Sequence, residues 1–387
     1  MDSPSRSWPG VPSAWTPATV AAIAGQPWSA PPMIGPVAGP LPHGDRWFWD
    51  LWPVQDRSRN VAAVANGELW MALAAPVTAD PVDRHAAARL WLLHRVGNRW
   101  HDLGPVLPGG QSPGSREWSG SAVLDGDRLV LHFTAAGRSG ETTPTFEQRL
   151  FSAEARLDAA VSPTPSGRTS PIESVASDGV VYDLAREVAG TVGTIKAFRD
   201  PAWFCDPADG AEYLLFTASL AASRSAFNGA VGIARRDNGV WRLLPPLITA
   251  DGVNNELERP HIVVFEAKYY LFWSTQSSVF APGIVAPTGL YGMVAPHLYG
   301  PWTPVNGTGL VIGNPPAAPD QAYSWLVLSD LRVTSFIDRA PNFVGGPAPE
   351  LRLQLAGDRA LLVPVANDRD TRQTFTNAKA RFEHGPG

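Results

Sequence analysis

Five times along this chain an acidic or aromatic motif leads into an apolar strand, a tight turn and a second strand rich in aromatics. No stretch of comparable length places apolar residues at helical spacing. After Trp49-Asp50 come Val-Ala-Ala-Val, the turn Asn66-Gly67 and Leu-Trp-Met-Ala-Leu. After Glu-Trp-Ser-Gly at 117–120 come Ala-Val-Leu, the turn Asp125-Gly126-Asp127 and Leu-Val-Leu-His-Phe. After Arg199-Asp200-Pro201 come Ala-Trp-Phe, a turn around Asp209-Gly210 and Tyr-Leu-Leu-Phe. After Glu258-Arg259-Pro260-His261 come Ile-Val-Val-Phe, the turn Glu266-Ala267-Lys268 and Tyr-Tyr-Leu-Phe-Trp. A fainter fifth copy runs from Tyr323-Ser324-Trp325 to Val-Thr-Ser-Phe-Ile. Asn-Gly and Asp-Gly between alternating runs signal hairpins. Five copies of one hairpin unit predict an all-β, five-bladed β-propeller, with a β-sandwich array as the competing architecture.

In a propeller the same strand of every blade lines the central axis, so residues near its start meet in one funnel. That geometry brings Asp50, Asp200 and Glu258 together despite their separation in sequence. Residues 1–45 read as an N-terminal wrap, helical then extended. In it Thr16 caps a short helix with Pro17 in the first turn, running through Val20 and Ile23 to a stop at Gly25. Residues 46–387 read as one catalytic body. Within it the Gly-, Ser- and Pro-rich stretch 137–192 forms a surface excursion on one blade, with a strand near Phe146–Leu157. The polar tail beyond about residue 372 wraps the body or moves freely.

Composition closes several doors. A net charge of −5 leaves no basic face for nucleic acid or an acidic membrane surface. No apolar run reaches the roughly 20 residues of a membrane span. The first residues lack the pattern of a signal peptide, which predicts a cytoplasmic protein or one exported without a leader. Cys205 is the only cysteine, which excludes an intrachain disulfide and a cysteine metal cluster, and it is expected to be buried and inert. The eight histidines show no metal-ligand spacing, and His261 is expected to make a structural hydrogen bond. No cofactor and no required metal are expected. Most of the 15 tryptophans belong to the core, while a few with exposed indole faces suit the C–H faces of sugars.

The three acidic motifs, Trp-Asp-Leu-Trp-Pro at 49–53, Phe-Arg-Asp-Pro at 198–201 and Glu-Leu-Glu-Arg-Pro-His at 256–261, point to glycosidic chemistry. One carboxylic acid must protonate the leaving oxygen while another carboxylate attacks the anomeric carbon or guides water to it. Glu256 lies two residues before Glu258, so on a regular strand both face one side, and like charges nearby raise the pKa of Glu258. Arg199 and Asp200 are adjacent, so both reach one pocket only if the backbone there is irregular.

With Glu-Trp-Ser-Gly and Gln-Ala-Tyr-Ser-Trp, these motifs stand in the order seen in glycoside hydrolase family 68, and the chain resembles that family from about residue 45 to 365. The family holds levansucrases, inulosucrases and bacterial β-fructofuranosidases. The resemblance implies a five-bladed propeller acting on sucrose with retention at the fructosyl carbon. It implies Asp50 as nucleophile, Asp200 as transition-state stabiliser and Glu258 as general acid/base. It also implies Trp49, Trp118, Ser119, Arg199, Glu256 and Tyr323 as sucrose-pocket residues, and sucrose and sugar acceptors as partners. The sequence is silent on oligomeric state.

Two positions depart from the family pattern. Many members carry an Asp at the Asn255 position that helps hold a structural calcium. Gln276 stands where polymer-forming members resemble one another in carrying Arg or His on the acceptor side, which favours water or short acceptors over long levan. The readings left open are a levansucrase making β-2,6 polymer, a furanosidase of a related propeller family, and a non-catalytic sugar-binding propeller.

Overall fold

The computed structural model describes residues 11–35, 45–78, 80–187, 194–339 and 345–363, and among these the protein is all-β with one short α-helix. The polar tail falls outside the described residues. Strand β1 (Ser13–Ala14) precedes five antiparallel units. The first unit holds β2 (Arg46–Asp56), β3 (Ala63–Val64), β4 (Gly67–Pro76), β5 (Arg89–Val96) and β6 (Arg99–Pro105). The second holds β7 (Arg116–Asp125), β8 (Arg128–Ala136), β9 (Gln148–Arg156) and β10 (Ile172–Val175). The third holds β11 (Phe198–Cys205), β12 (Glu212–Ser219), β13 (Gly229–Asp237) and β14 (Val240–Thr249). The fourth holds β15 (Glu258–Phe265), β16 (Lys268–Thr275), β17 (Gly289–Ala295), β18 (Thr303–Pro304) and β19 (Leu310–Gly313). The fifth holds β20 (Ala322–Val327), β21 (Arg332–Ile337), β22 (Leu351–Ala356) and β23 (Arg359–Val363).

Parallel pairing of β2 with β7 fuses the first two units into one nine-stranded sheet, and the other three are separate sheets. The leading strands follow one another in space as in sequence: β2 contacts β7, β7 contacts β11, β11 contacts β15, and β15 contacts β20. Strand β21 of the last unit returns to β2 of the first. Hydrophobic layers fill the space between sheets, with Trp52, Trp70 and Trp325 among the fully buried side chains of the largest layer.

The hairpins form where Gly, Asn and Asp were read as turns, with one shift. The β3–β4 turn is Ala65-Asn66, both at positive φ (46° and 62°), and Gly67 already pairs with Val64. Glycine is needed in the strand itself, because a Cβ at Gly67 would stand 2.3 Å from the Arg95 carbonyl oxygen. Within 137–192, β9 and β10 extend the second sheet, and Tyr182 is fully buried with its hydroxyl donating to the Leu244 carbonyl at 2.6 Å. Cys205 is half-buried at the end of β11 rather than enclosed, because the strand stops there at a surface turn; partial burial raises its thiol pKa.

Every leading strand breaks its register near its start. The shifts fall between Trp49 and Trp52, Trp118 and Gly120, Arg199 and Ala202, Glu258 and His261, and Tyr323 and Leu326. Four of them carry a non-glycine residue in the left-handed region: Asp50 (φ 51°), Asp200 (60°), Arg259 (51°) and Ser324 (59°). Such backbone is costly for residues with a Cβ and persists only where the surroundings hold it. A bulge adds a residue to one strand and re-aims the side chains beside it. Five bulges at one level therefore turn consecutive side chains toward the same space.

The N-terminal segment forms as its sequence indicates. The Thr16 hydroxyl accepts from the Thr19 amide at the start of the helix Pro17–Ala21, which passes into a 3-10 turn ending at Gly25. Trp15, Val20 and Ile23 are buried in a layer shared by the third and fourth sheets. The Trp15 indole donates to the Thr308 carbonyl at 3.0 Å and meets Trp273 edge-on at 5.3 Å.

Candidate active site

The five bulges open onto one cleft. All ten residues singled out from sequence line it: Asp50, Asp200 and Glu258, with Trp49, Trp118, Ser119, Arg199, Glu256, Gln276 and Tyr323. Their elements are β2, β7, β11, β15, β20 and the loops before β15 and after β16.

Asp50 is held from one side. The Ser119 hydroxyl donates to its Oδ2 at 2.5 Å, leaving the other oxygen without that bond. Asp200 sits deeper: its Oδ2 accepts from the Thr217 hydroxyl at 2.9 Å and the Arg259 amide at 3.3 Å, and its own amide donates to Thr134 Oγ1 at 2.9 Å. Burial pushes its pKa well above the usual carboxylate range; the nearby Arg199 cation pulls the other way and does not prevail.

Arg199 is the hub. Its Nη2 stands 2.9 Å from Glu258 Oε1 and 3.2 Å from Glu256 Oε2, and its Nε lies 3.8 Å from Asp200 Oδ2. Burial alone would weaken its hold on the proton, but the three carboxylates more than offset that and its pKa ends above the ordinary value. Glu256 is fully enclosed, and its pKa is raised by burial against the opposing Arg199 charge. Glu258 receives Arg199 on one oxygen and the Tyr323 hydroxyl on the other. Burial, with Glu258 adding to it, keeps the Tyr323 phenol protonated and therefore a donor. Arg199 and Asp200 both reach the cleft because the backbone is irregular there, which meets the condition set by their adjacency.

Arg259 ties three bulges together. Its guanidinium donates to the Leu51 carbonyl at 3.0 Å, to the Ser324 carbonyl at 3.2 Å and to the Ser324 hydroxyl at 2.6 Å. His261 is structural: its Nδ1 pairs with the Arg259 carbonyl at 2.9 Å while its Nε2 accepts from the Val327 amide at 2.9 Å. Burial lowers its pKa to about 4, which keeps the ring neutral at pH 7.

Several lining residues escaped the sequence reading. The 3-10 helix Pro81–Ala87 brings Arg84 and His85 against Trp49: Arg84 stacks over Trp49 and Phe336 at 5.4 Å each, and His85 meets Trp49 edge-on at 5.8 Å. His85 Nδ1 lies 3.0 Å from the Val82 carbonyl, and burial, reinforced by Arg84, lowers its pKa. Ile195, Ser324 and Arg259 also line the cleft. Ser324 lay beside Tyr323 in a motif already recognised; Arg84 and His85 had no local signal. Among the described residues no three His, Cys, Asp or Glu gather in a way that could hold a metal ion. No helix there is long and apolar enough to cross a membrane.

Chemically the cleft offers one carboxylate anchored on a single oxygen, a second carboxyl between a cation and a phenol, and a third set deep between them. That arrangement suits attack at one carbon with proton transfer to the departing oxygen.

Known proteins agree with the motifs. The chain is 32% identical over 378 residues to a levansucrase of Rahnella aquatilis, covering 84% of this chain and 88% of that protein. It is 31% identical to a levansucrase of Erwinia amylovora, covering 91% and 94% of the two chains. An inulosucrase structure from Halalkalicoccus jeotgali bound to kestose superposes with a TM-score of 0.81 at 34% identity, covering 93% of this chain and 99% of that one. The family described as levansucrase/invertase, glycoside hydrolase family 68, matches residues 9–232 and 225–371. With that match laid over a cleft built from the family's own motifs, the chain belongs to glycoside hydrolase family 68 and is an enzyme of the levansucrase-like type.

Proposed function

We propose that this enzyme is a retaining fructosyl-transferring enzyme acting on sucrose in the funnel of a five-bladed β-propeller. The observation that carries the reading is the convergence of Asp50, Asp200, Glu258 and Arg199, from three separate units, on one cleft. The propeller is supported by five repeated antiparallel units whose leading strands contact one another in order. The substrate is supported by the levansucrases and inulosucrase to which the chain is similar.

In this mechanism the free oxygen of Asp50 attacks the fructosyl anomeric carbon while Ser119 steadies the other. As that carbon–oxygen bond forms, the bond to the glucosyl oxygen breaks, and Glu258 delivers its proton to the departing glucose. Asp200 accepts fructosyl hydroxyls from below. Glu258, now a carboxylate held by Arg199 and Tyr323, then takes a proton from water or a sugar hydroxyl. That nucleophile displaces Asp50 and restores the starting configuration.

The acceptor is water or a short sugar. Gln276 supplies a neutral amide at the cleft, without the cation that would grip a growing chain. Kestose bound to the Halalkalicoccus inulosucrase supports a cleft of this shape holding a trisaccharide. Incubation with sucrose, followed by chromatography over time, should show glucose, fructose and short fructo-oligosaccharides. A product that is mostly high-molecular-weight fructan would favour the levansucrase alternative. Sugar binding with no glucose release would leave a binding propeller.

A further inference from the structure

Lys196 approaches β11 and sends its side chain across to two other segments. Its ammonium donates to the Ala226 carbonyl at 2.7 Å, to Asn228 Oδ1 at 2.7 Å and to Asn255 Oδ1 at 3.4 Å. An ammonium has three protons and no acceptor, so three oxygens use it fully. Asn255 is oriented by its other end, where Nδ2 donates to the Ile195 carbonyl at 3.2 Å and approaches Glu256 Oε1 at 3.4 Å. Its carbonyl oxygen is therefore turned to Lys196. Glu256, the next residue, is one of the carboxylates on Arg199.

The calcium that the family resemblance implies at Asn255 does not fit this arrangement. Calcium takes six to eight oxygens, usually with carboxylates among them. Here the three oxygens bonded to the ammonium are two neutral amides and a carbonyl. The carboxylates nearby, Asp183, Glu187 and Glu256, act on that same ammonium, and a divalent ion beside its fixed charge would be repelled. We propose that Lys196 is a built-in cation that takes over the tie a bound metal would make. It joins the approaches to β11 and β13 to the loop carrying Asn255 and Glu256, and so positions Glu256 against Arg199 without a metal. Lys196 is a positioning residue and touches no reacting atom.

The first test needs no variant and does not rest on the sucrose reading. The thermal midpoint of the full chain should be the same in EDTA and in millimolar calcium chloride; a fall in EDTA that calcium reverses would overturn the proposal. Lys196→Met keeps the stem and removes the charge. Its midpoint should fall, and the KM for sucrose should rise roughly tenfold, the effect of misplacing one hydrogen bond to a charged group, with kcat changed less. A midpoint and KM equal to those of the unaltered protein would overturn the tie, and a lower midpoint with unchanged KM would overturn the positioning role. The double variant Lys196→Ala/Asn255→Asp clears the ammonium and adds a carboxylate. A calcium-dependent rise in its midpoint supports the inference that Lys196 occupies a cation seat, and no response to calcium overturns it. If the unaltered protein releases no glucose from sucrose, the functional reading fails while the midpoint arms still decide the role of Lys196.

Discussion

Arg199 sets the charge state of the cleft because it faces three carboxylates at once, Glu258, Glu256 and Asp200. Its removal would leave buried anions without a partner, the situation in which deleting half of an ion pair is most damaging. Asp50→Asn and Glu258→Gln should each lower turnover on sucrose by roughly a thousand-fold or more while the protein stays folded, checked by glucose release and circular dichroism. A pH effect follows from the two enclosed carboxyls. Asp200 and Glu256 hold protons more tightly folded than unfolded, since burial raises both. The stability they contribute is present below the ordinary carboxylate pKa of about 4 and is lost as pH climbs to about 7. Thermal midpoints taken between those limits should fall with rising pH, and less steeply in Glu256→Gln, which lacks one of the titrating groups. At the mouth of the cleft, Gln276→Arg should raise the share of long fructan, read by size-exclusion chromatography of the products.

The bulged strands are the elements that turn a repeated sheet into a site. In β7 the bulge uses Gly120, where a Cβ would stand 1.9 Å from the His132 carbonyl oxygen. Gly120→Ala should therefore destabilise the protein by several kcal/mol, of the order seen for severe backbone conflict, and reduce soluble yield. The hairpins were legible in the sequence because turn chemistry and strand alternation are local, and the acidic residues were legible because they sit in motifs. Arg199 beside Asp200 showed that some irregularity was needed, but not that every leading strand would share it. Arg84 and His85 were invisible for another reason. They reach Trp49 from a 3-10 helix outside every recognised motif, and only the tertiary packing gives them a role. Asn66-Gly67 misled by one residue because glycine was required there for room against Arg95, not for a positive φ.

Across the whole molecule, the N-terminal segment acts as a clasp. Trp15, Val20 and Ile23 enter the layer between the third and fourth sheets, and β1 adds a parallel strand to β14. Trp15→Ala should cost about 3–5 kcal/mol, the usual range for emptying a buried aromatic site, measured as a lower thermal or denaturant midpoint. The seat of this indole is made by Trp273, Phe280, Tyr291 and the Thr308 carbonyl, all more than 250 positions further along the chain. During synthesis, Trp15 must wait for Thr308, made 293 positions later, before its cradle is complete. Closure of the clasp is thus a late event in the life of each new molecule, and until then an apolar hook and its empty socket both stand open to neighbouring chains.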